Sequence, residues 1–168
     1  MTGRFTGQAL GYLAGAGSAA LLAGAFAFQH LGGLPPCALC IWQRWPHVAA
    51  ALLAAALVRA PAPLRRPLMG LGALAALATA GIGVYHAGIE RDWWPGPTSC
   101  TGSGPGLSGL SGADLLDMTA PTTVVMCDAI PWAFAGLSMA GWNAVLSLSL
   151  AVLWIAALRA PARRINAG

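Results

Sequence analysis

Two cysteines, Cys37 and Cys40, stand in the segment "GLPPCALCIWQRWPH", and Arg44 follows four residues after the second. A Cys-x-x-Cys pair at a helix N-terminus is the arrangement of a redox-active dithiol. The positive end of the helix dipole favours thiolate there. Pro35 and Pro36 can start such a helix, since proline fits its first turn. On that helix Arg44 shares the face of Cys40, about one turn deeper. A cation at that place would hold a thiolate, or a developing negative oxygen on a bound acceptor. The blander reading has Arg44 snorkelling to the outer surface. His47 lies three residues beyond Arg44 on roughly the same face, and a lone helical histidine is more often structural. Pro46 should disturb the helix locally and free a carbonyl.

Cys100 and Cys127 form a second pair, with 26 residues between them. Zinc would want four ligands close together, usually from two close-spaced pairs, so no metal is expected. Covalent haem attachment wants His directly after the second Cys, and Ile41 stands there. An inert structural bridge is the other alternative. In an oxidising space four cysteines allow three pairings. Closure within Cys37–Cys40 and within Cys100–Cys127 is the economical one. The Gly/Ser-rich "CTGSGPGLSGLSG" would leave the second pair open to attack by an outside protein. It would also let that pair swing to the first, an intramolecular exchange at high effective concentration.

The elements that must position these sulfurs are apolar. The chain has 168 residues, of which 57% are hydrophobic and 8% charged. A soluble domain carries about 25% charged residues. Four runs, at about 8–28, 40–58, 68–89 and 138–158, can each span a hydrocarbon core of about 20 helical residues. Their Ala and Leu richness without alternation argues helix over barrel strand. The expected fold is all-α: one membrane domain, 1–168, built as a four-helix bundle. A secretory signal ending at Ala25–Ala27 is disfavoured, because the first run exceeds the usual apolar length of about 7–15 residues. Gly11 and Gly15 form a GxxxG, which in so Ala- and Gly-rich a chain reads as chance more readily than as a helix contact.

Charge orients the bundle. Arg4, Arg59, Arg65, Arg66, Arg159, Arg163 and Arg164 fall on one side of the four runs. Glu90, Asp92, Asp114, Asp117 and Asp128 fall on the other. The positive-inside rule makes the arginine side cytoplasmic. Both termini are then inside, and the loops at about 29–39 and 90–137, which hold the cysteines, are outside. The net charge of +4 is thus a matter of membrane topology and does not point to nucleic acid. The second outer loop is too long for a mere connector. Trp93 and Trp94 suit the membrane interface. Ser111 with Asp114 makes a capping-box pattern. Leu107, Leu110, Leu115 and Met118 could line one face of a short helix, either amphipathic on the membrane or an ordinary loop helix.

"CALCIWQR", the later cysteine pair and "PWAFAGLSMAGWN" resemble the DsbB family over the whole chain. The resemblance implies a bacterial inner-membrane thiol:quinone oxidoreductase. A DsbA-like thioredoxin-fold dithiol partner would attack the Cys100–Cys127 disulfide at Cys100. Freed Cys127 would attack Cys37, and Cys40, released beside Arg44, would pass electrons to ubiquinone or menaquinone. A histidine near the quinone is implicated in some relatives. His86 is the candidate by position and is left unassigned, since its spacing to Cys100 does not align cleanly. A DsbA-type partner has an established potential near about −120 mV, and an ordinary disulfide near about −200 mV would oxidise it uphill by roughly 4 kcal/mol. A lipid-soluble acceptor would pull that step forward. Two alternatives stay open: a vitamin-K-epoxide-reductase-like oxidoreductase, and a non-enzymatic membrane subunit stapled by its disulfides.

Overall fold

A computed structural model describes residues 7–97 and 125–160. Four long helices dominate: α1 Gly7–His30, α2 Ala38–Leu57, α3 Ala62–Ile89 and α4 Met139–Arg159. They pack in a ring, α1 on α2, α2 on α3, α3 on α4 and α4 back on α1, and the α1–α3 diagonal touches little. The fold is that of a helical membrane protein. Helices α1, α3 and α4 are long and apolar enough to cross a bilayer. Helix α2 has 20 residues, which at 1.5 Å per residue covers about 30 Å. Gln43, Arg44 and His47 in its upper half lower its hydropathy.

Small residues let the helices close on one another. Trp154 is fully buried at the centre of the lower core, with Leu57, Met69, Ala73 and Ala151 around it. A Cβ on Gly72 would stand 2.6 Å from its indole, and one on Gly11 would stand 3.2 Å from it. A Cβ on Gly15 would lie 2.0 Å from the Ala54 methyl. The GxxxG of α1 is therefore the contact ridge with α2, not a chance pair. Close backbone approach supplies the dispersion contact that membrane helices need.

Three local features differ from the sequence expectation. Helix α3 begins at Ala62, so Arg65 and Arg66 are helical and not in a loop. Pro63 sits in its first turn, where a missing N–H is harmless. Pro46 does not interrupt α2, and the Gln43 carbonyl of the same turn accepts from the Thr79 hydroxyl at 3.0 Å. A two-stranded hairpin, β1 Ala133–Phe134 with β2 Leu137–Ser138, precedes α4. Ala135 (φ 51°) and Gly136 (φ 78°) form its two-residue loop. Two successive positive φ values suit the right-handed twist of a hairpin, but alanine gives no sequence signal for them. The short helix considered around Leu107–Met118, together with Cys100, Arg4, Arg163 and Arg164, lies outside the described residues.

Candidate redox site

The chain leaves α1 through a turn at Gly33, whose φ of 64° favours glycine. Leu34, Pro35 and Pro36 then lead, without regular structure, into Cys37. Cys37 is the N-cap of α2, with φ −75° and ψ 172°, and its sulfur accepts from the Cys40 N–H at 3.2 Å. The prolines thus precede the cap and do not occupy the first turn. This one cap geometry brings the two sulfurs to 3.0 Å, with the Cys37 thiol donating to Cys40. That hydrogen bond, followed by burial, pushes the Cys37 thiol far above its ordinary range. The arrangement favours negative charge on Cys40 over Cys37.

Helix α3 adds a histidine to the pair. His86 Nε2 lies 3.6 Å from Cys37 Sγ, and its Nδ1 lies 2.9 Å from Gln43 Nε2. The tautomer follows from the partners. Gln43 Nε2 also donates to the Leu39 carbonyl at 3.2 Å, and Gln43 Oε1 accepts from Asn143 Nδ2 at 2.7 Å. A carbonyl can only accept, so the amide nitrogen of Gln43 faces Leu39 and His86. His86 Nδ1 is then the acceptor, and Nε2 carries the proton. That N–H faces the Cys37 sulfur.

The same hydrogen bonds bear on metal binding. The ligand atoms of Cys37, Cys40 and His86 lie within 4.8 Å of one another. A tetrahedral ion would need a bare Nε2 and an acceptor for Nδ1–H. Gln43 offers Nδ1 a donor instead. That hydrogen bond favours a protonated Nε2 facing the sulfurs.

Glu90 closes the outer end of this network. Its side chain is 4% exposed, and Oε1 lies 3.9 Å from His86 Nε2. The Ser138 hydroxyl donates to Oε2 and accepts from Gly141 N–H as the N-cap of α4. Burial pushes the Glu90 carboxyl above its ordinary range, against the opposing pull of Ser138 and Arg91. Arg91 in turn reaches the Gly136 carbonyl at 3.2 Å, which ties the hairpin to the end of α3.

Cys127 is fully buried and packs in one apolar cluster with Cys37, Leu39 and Ile89. Its backbone hydrogen-bonds to His86. Three of the four cysteines singled out by sequence, Cys37, Cys40 and Cys127, therefore meet at the end of the bundle where α2 begins and α3 ends. Arg44 lies below them and is half-buried. Its Nη1 donates to Gln29 Oε1 of α1 at 2.7 Å, and its guanidinium lies 4.9 Å from the centre of the Phe26 ring. It is held by α1 and does not snorkel freely.

A cavity of about 210 Å³ opens between α1, α2 and α4. Cys40, Gln43, Arg44, His47 and Asn143 supply its polar wall. Leu21, Ala25, Phe28 and Met139 belong to its apolar wall. The chamber is thus apolar, with one cation and one half-buried sulfur in its wall. Sequence reasoning missed Gln43, Thr79, Glu90, Ser138 and Asn143, and it gave His86 no role. The available signal was cost: polar groups inside apolar spans are expensive and mark sites.

The model of the family described as "Disulfide bond formation protein DsbB" matches residues 7–157. The chain is 40% identical over 139 residues to a Disulfide bond formation protein B of Methylococcus capsulatus, covering 79% of this chain and 82% of that one. It is 39% identical over 161 residues to one of Xanthomonas oryzae pv. oryzae, covering 92% and 90%. It is 34% identical over 145 residues to one of Shewanella sp., covering 84% and 82%. No solved structure matches the chain.

Proposed function

Because this chain belongs to the DsbB family of disulfide bond formation proteins, we propose that it reoxidises a DsbA-like dithiol protein and delivers the electrons to a membrane quinone, ubiquinone or menaquinone. One observation carries the reading. Cys40 faces the apolar cavity beside Arg44, while its neighbour Cys37 packs with Cys127.

The steps balance as thiol–disulfide exchange. A partner thiolate attacks Cys100 of the Cys100–Cys127 disulfide, and Cys127 leaves as thiolate. The second partner thiolate closes the partner's own disulfide and frees Cys100. Cys127 then attacks Cys37 of the Cys37–Cys40 disulfide, and Cys40 leaves as thiolate into the cavity wall. Cys100 resolves the Cys127–Cys37 bond, so the outer disulfide reforms and Cys37 and Cys40 stand reduced. A quinone, when bound, supplies a sink for two electrons and two protons. His86 holds its Nε2 3.6 Å from the Cys37 sulfur, with the Cys127 backbone also hydrogen-bonded to the ring, so its N–H is placed to stabilise that sulfur as it gains charge. Arg44, steadied by Gln29, offers the cavity the cation for developing negative charge.

In this reading α2 is the fourth membrane span, and both termini are cytoplasmic. The cysteines face the periplasm of a bacterial inner membrane, where disulfides persist. The test is direct. Purified protein with quinone should oxidise a reduced thioredoxin-fold donor catalytically, with one quinone consumed per disulfide. Cys40→Ala should abolish turnover. Undiminished activity after removal of all quinone would refute the proposal.

A further inference from the structure

Helix α1 is closed on the bundle at both ends and stands away from it in between. In its first half three glycines are required by contact. A Cβ on Gly11 would stand 3.0 Å from Leu57, one on Gly15 2.0 Å from Ala54, and one on Gly17 2.5 Å from Leu150. These contacts seat α1 on α2 and α4. Near its last turn the helix is tied again. Gln29 accepts from Arg44 of α2, and the same guanidinium lies over the Phe26 ring. Phe28 meets Trp132, just ahead of β1, with ring centres 5.2 Å apart.

Gly24 lies between these two zones. A Cβ on it would meet nothing within 4 Å among the described residues. The direction of that Cβ follows from helical register. Gly24 comes two turns after Gly17, whose Cβ would face Leu150 of α4, and positions at that spacing share a face. Leu21 and Phe28 lie on the same face; Leu21 packs against the core, and both line the cavity. Gly24 is half-buried and lines it too, as do Ala20 and Ala25. Glycine inside a helix is less stable than alanine. Close packing compensates at Gly11, Gly15 and Gly17, but no packing does so at Gly24. Gly70 and Gly81 of α3 are open in the same sense, yet neither lines this cavity.

We propose that Gly24 is a specificity-determining residue, whose missing side chain leaves the room that a two-ring naphthoquinone head needs beside Cys40 and Arg44. The inference rests on reading this cavity as the quinone site. A wall that cannot yield discriminates by volume, and α1 is held on both sides of Gly24. One methylene more or less in a hydrophobic pocket is worth about 10–200-fold. A leucine at this position adds four carbons. The first finds open space, and the others reach further into the cavity. A single-ring head leaves part of that space unused, whereas a two-ring head does not.

The experiment measures equilibrium binding of a short-tailed benzoquinone and of a naphthoquinone with the same tail, in a Cys40→Ser background where neither is reduced. The Gly24 protein should bind both. Gly24→Ala should change each affinity by less than about twofold, because one added methyl overpacks nothing. Gly24→Leu should weaken the naphthoquinone at least about tenfold and the benzoquinone by no more than about threefold. Should Gly24→Leu not fold, Gly24→Val takes its place, with the same order of losses expected. Equal weakening of both quinones, unchanged binding of both, or no binding of the naphthoquinone by the Gly24 protein overturns the inference and leaves the proposed function standing. Binding of neither quinone to the Gly24 protein overturns both.

Discussion

Replacing Gln43 with leucine tests whether one buried amide organises the redox site. Gln43 is 6% exposed, and leucine is close to it in size. The substitution removes three hydrogen bonds: to the Leu39 carbonyl, to His86 Nδ1 and from Asn143 Nδ2. Their losses are unequal. Asn143 Nδ2 keeps the Thr79 carbonyl and hydroxyl. His86 Nδ1 loses the donor that fixes its tautomer. An orphaned buried polar atom costs about 1–3 kcal/mol, so most of the penalty should fall on one ring nitrogen. Moving the proton to Nδ1 does not relieve it, because Nδ1–H would then need an acceptor. The assay is a double-mutant cycle by denaturant unfolding in detergent, with Gln43→Leu, His86→Leu and the double variant. Gln43→Leu should cost about 1–3 kcal/mol alone and far less in the His86→Leu background. The coupling should be at least about 1 kcal/mol. Additivity within about 0.5 kcal/mol would refute the claim that Gln43 acts through His86.

Three further outcomes follow from the same geometry. Arg44→Ala should raise KM for quinone about tenfold, and Gln29→Leu should raise it less, because it only loosens the guanidinium; an unchanged KM for Arg44→Ala contradicts the role. Ala135→Gly should stabilise the protein by about 0.5–1 kcal/mol, since it relieves a left-handed alanine at φ 51° while adding unfolded-state entropy; a lower unfolding midpoint contradicts this. Burial holds the folded Glu90 carboxyl above its ordinary 4.5, so its contribution to stability is complete below that value and declines as pH rises through the raised one. Glu90→Gln should flatten that decline in unfolding titrations, and an unchanged pH slope contradicts it.

Much of the site could be read from local spacing. Cys37 and Cys40 stand one helical turn apart, which allows the cap geometry that brings their sulfurs to 3.0 Å. Arg44 is one turn further along the same face, and it lines the cavity that Cys40 also lines. The partners of this face could not be read so. His86 is 49 residues from Cys37, and Asn143 is 100 residues from Gln43. The hairpin was hidden because Ala135–Gly136 lacks the usual Asn-Gly or Asp-Gly signal. The GxxxG contact was hidden because Gly and Ala are frequent throughout the spans.

The sequence by itself determined a helical membrane chain, a Cys-x-x-Cys pair near a helix N-terminus and the cation one turn beyond it. These depend on rise and turn along one helix, which every helix shares. Only the tertiary structure decided which polar groups meet the sulfurs and which nitrogen of His86 bears the proton. The physical reason is rotational. Helices apolar on all sides carry little amphipathic signal, so each can turn about its axis until packing against its neighbours fixes it. That packing set His86 against Cys37 and His47 against Asn143.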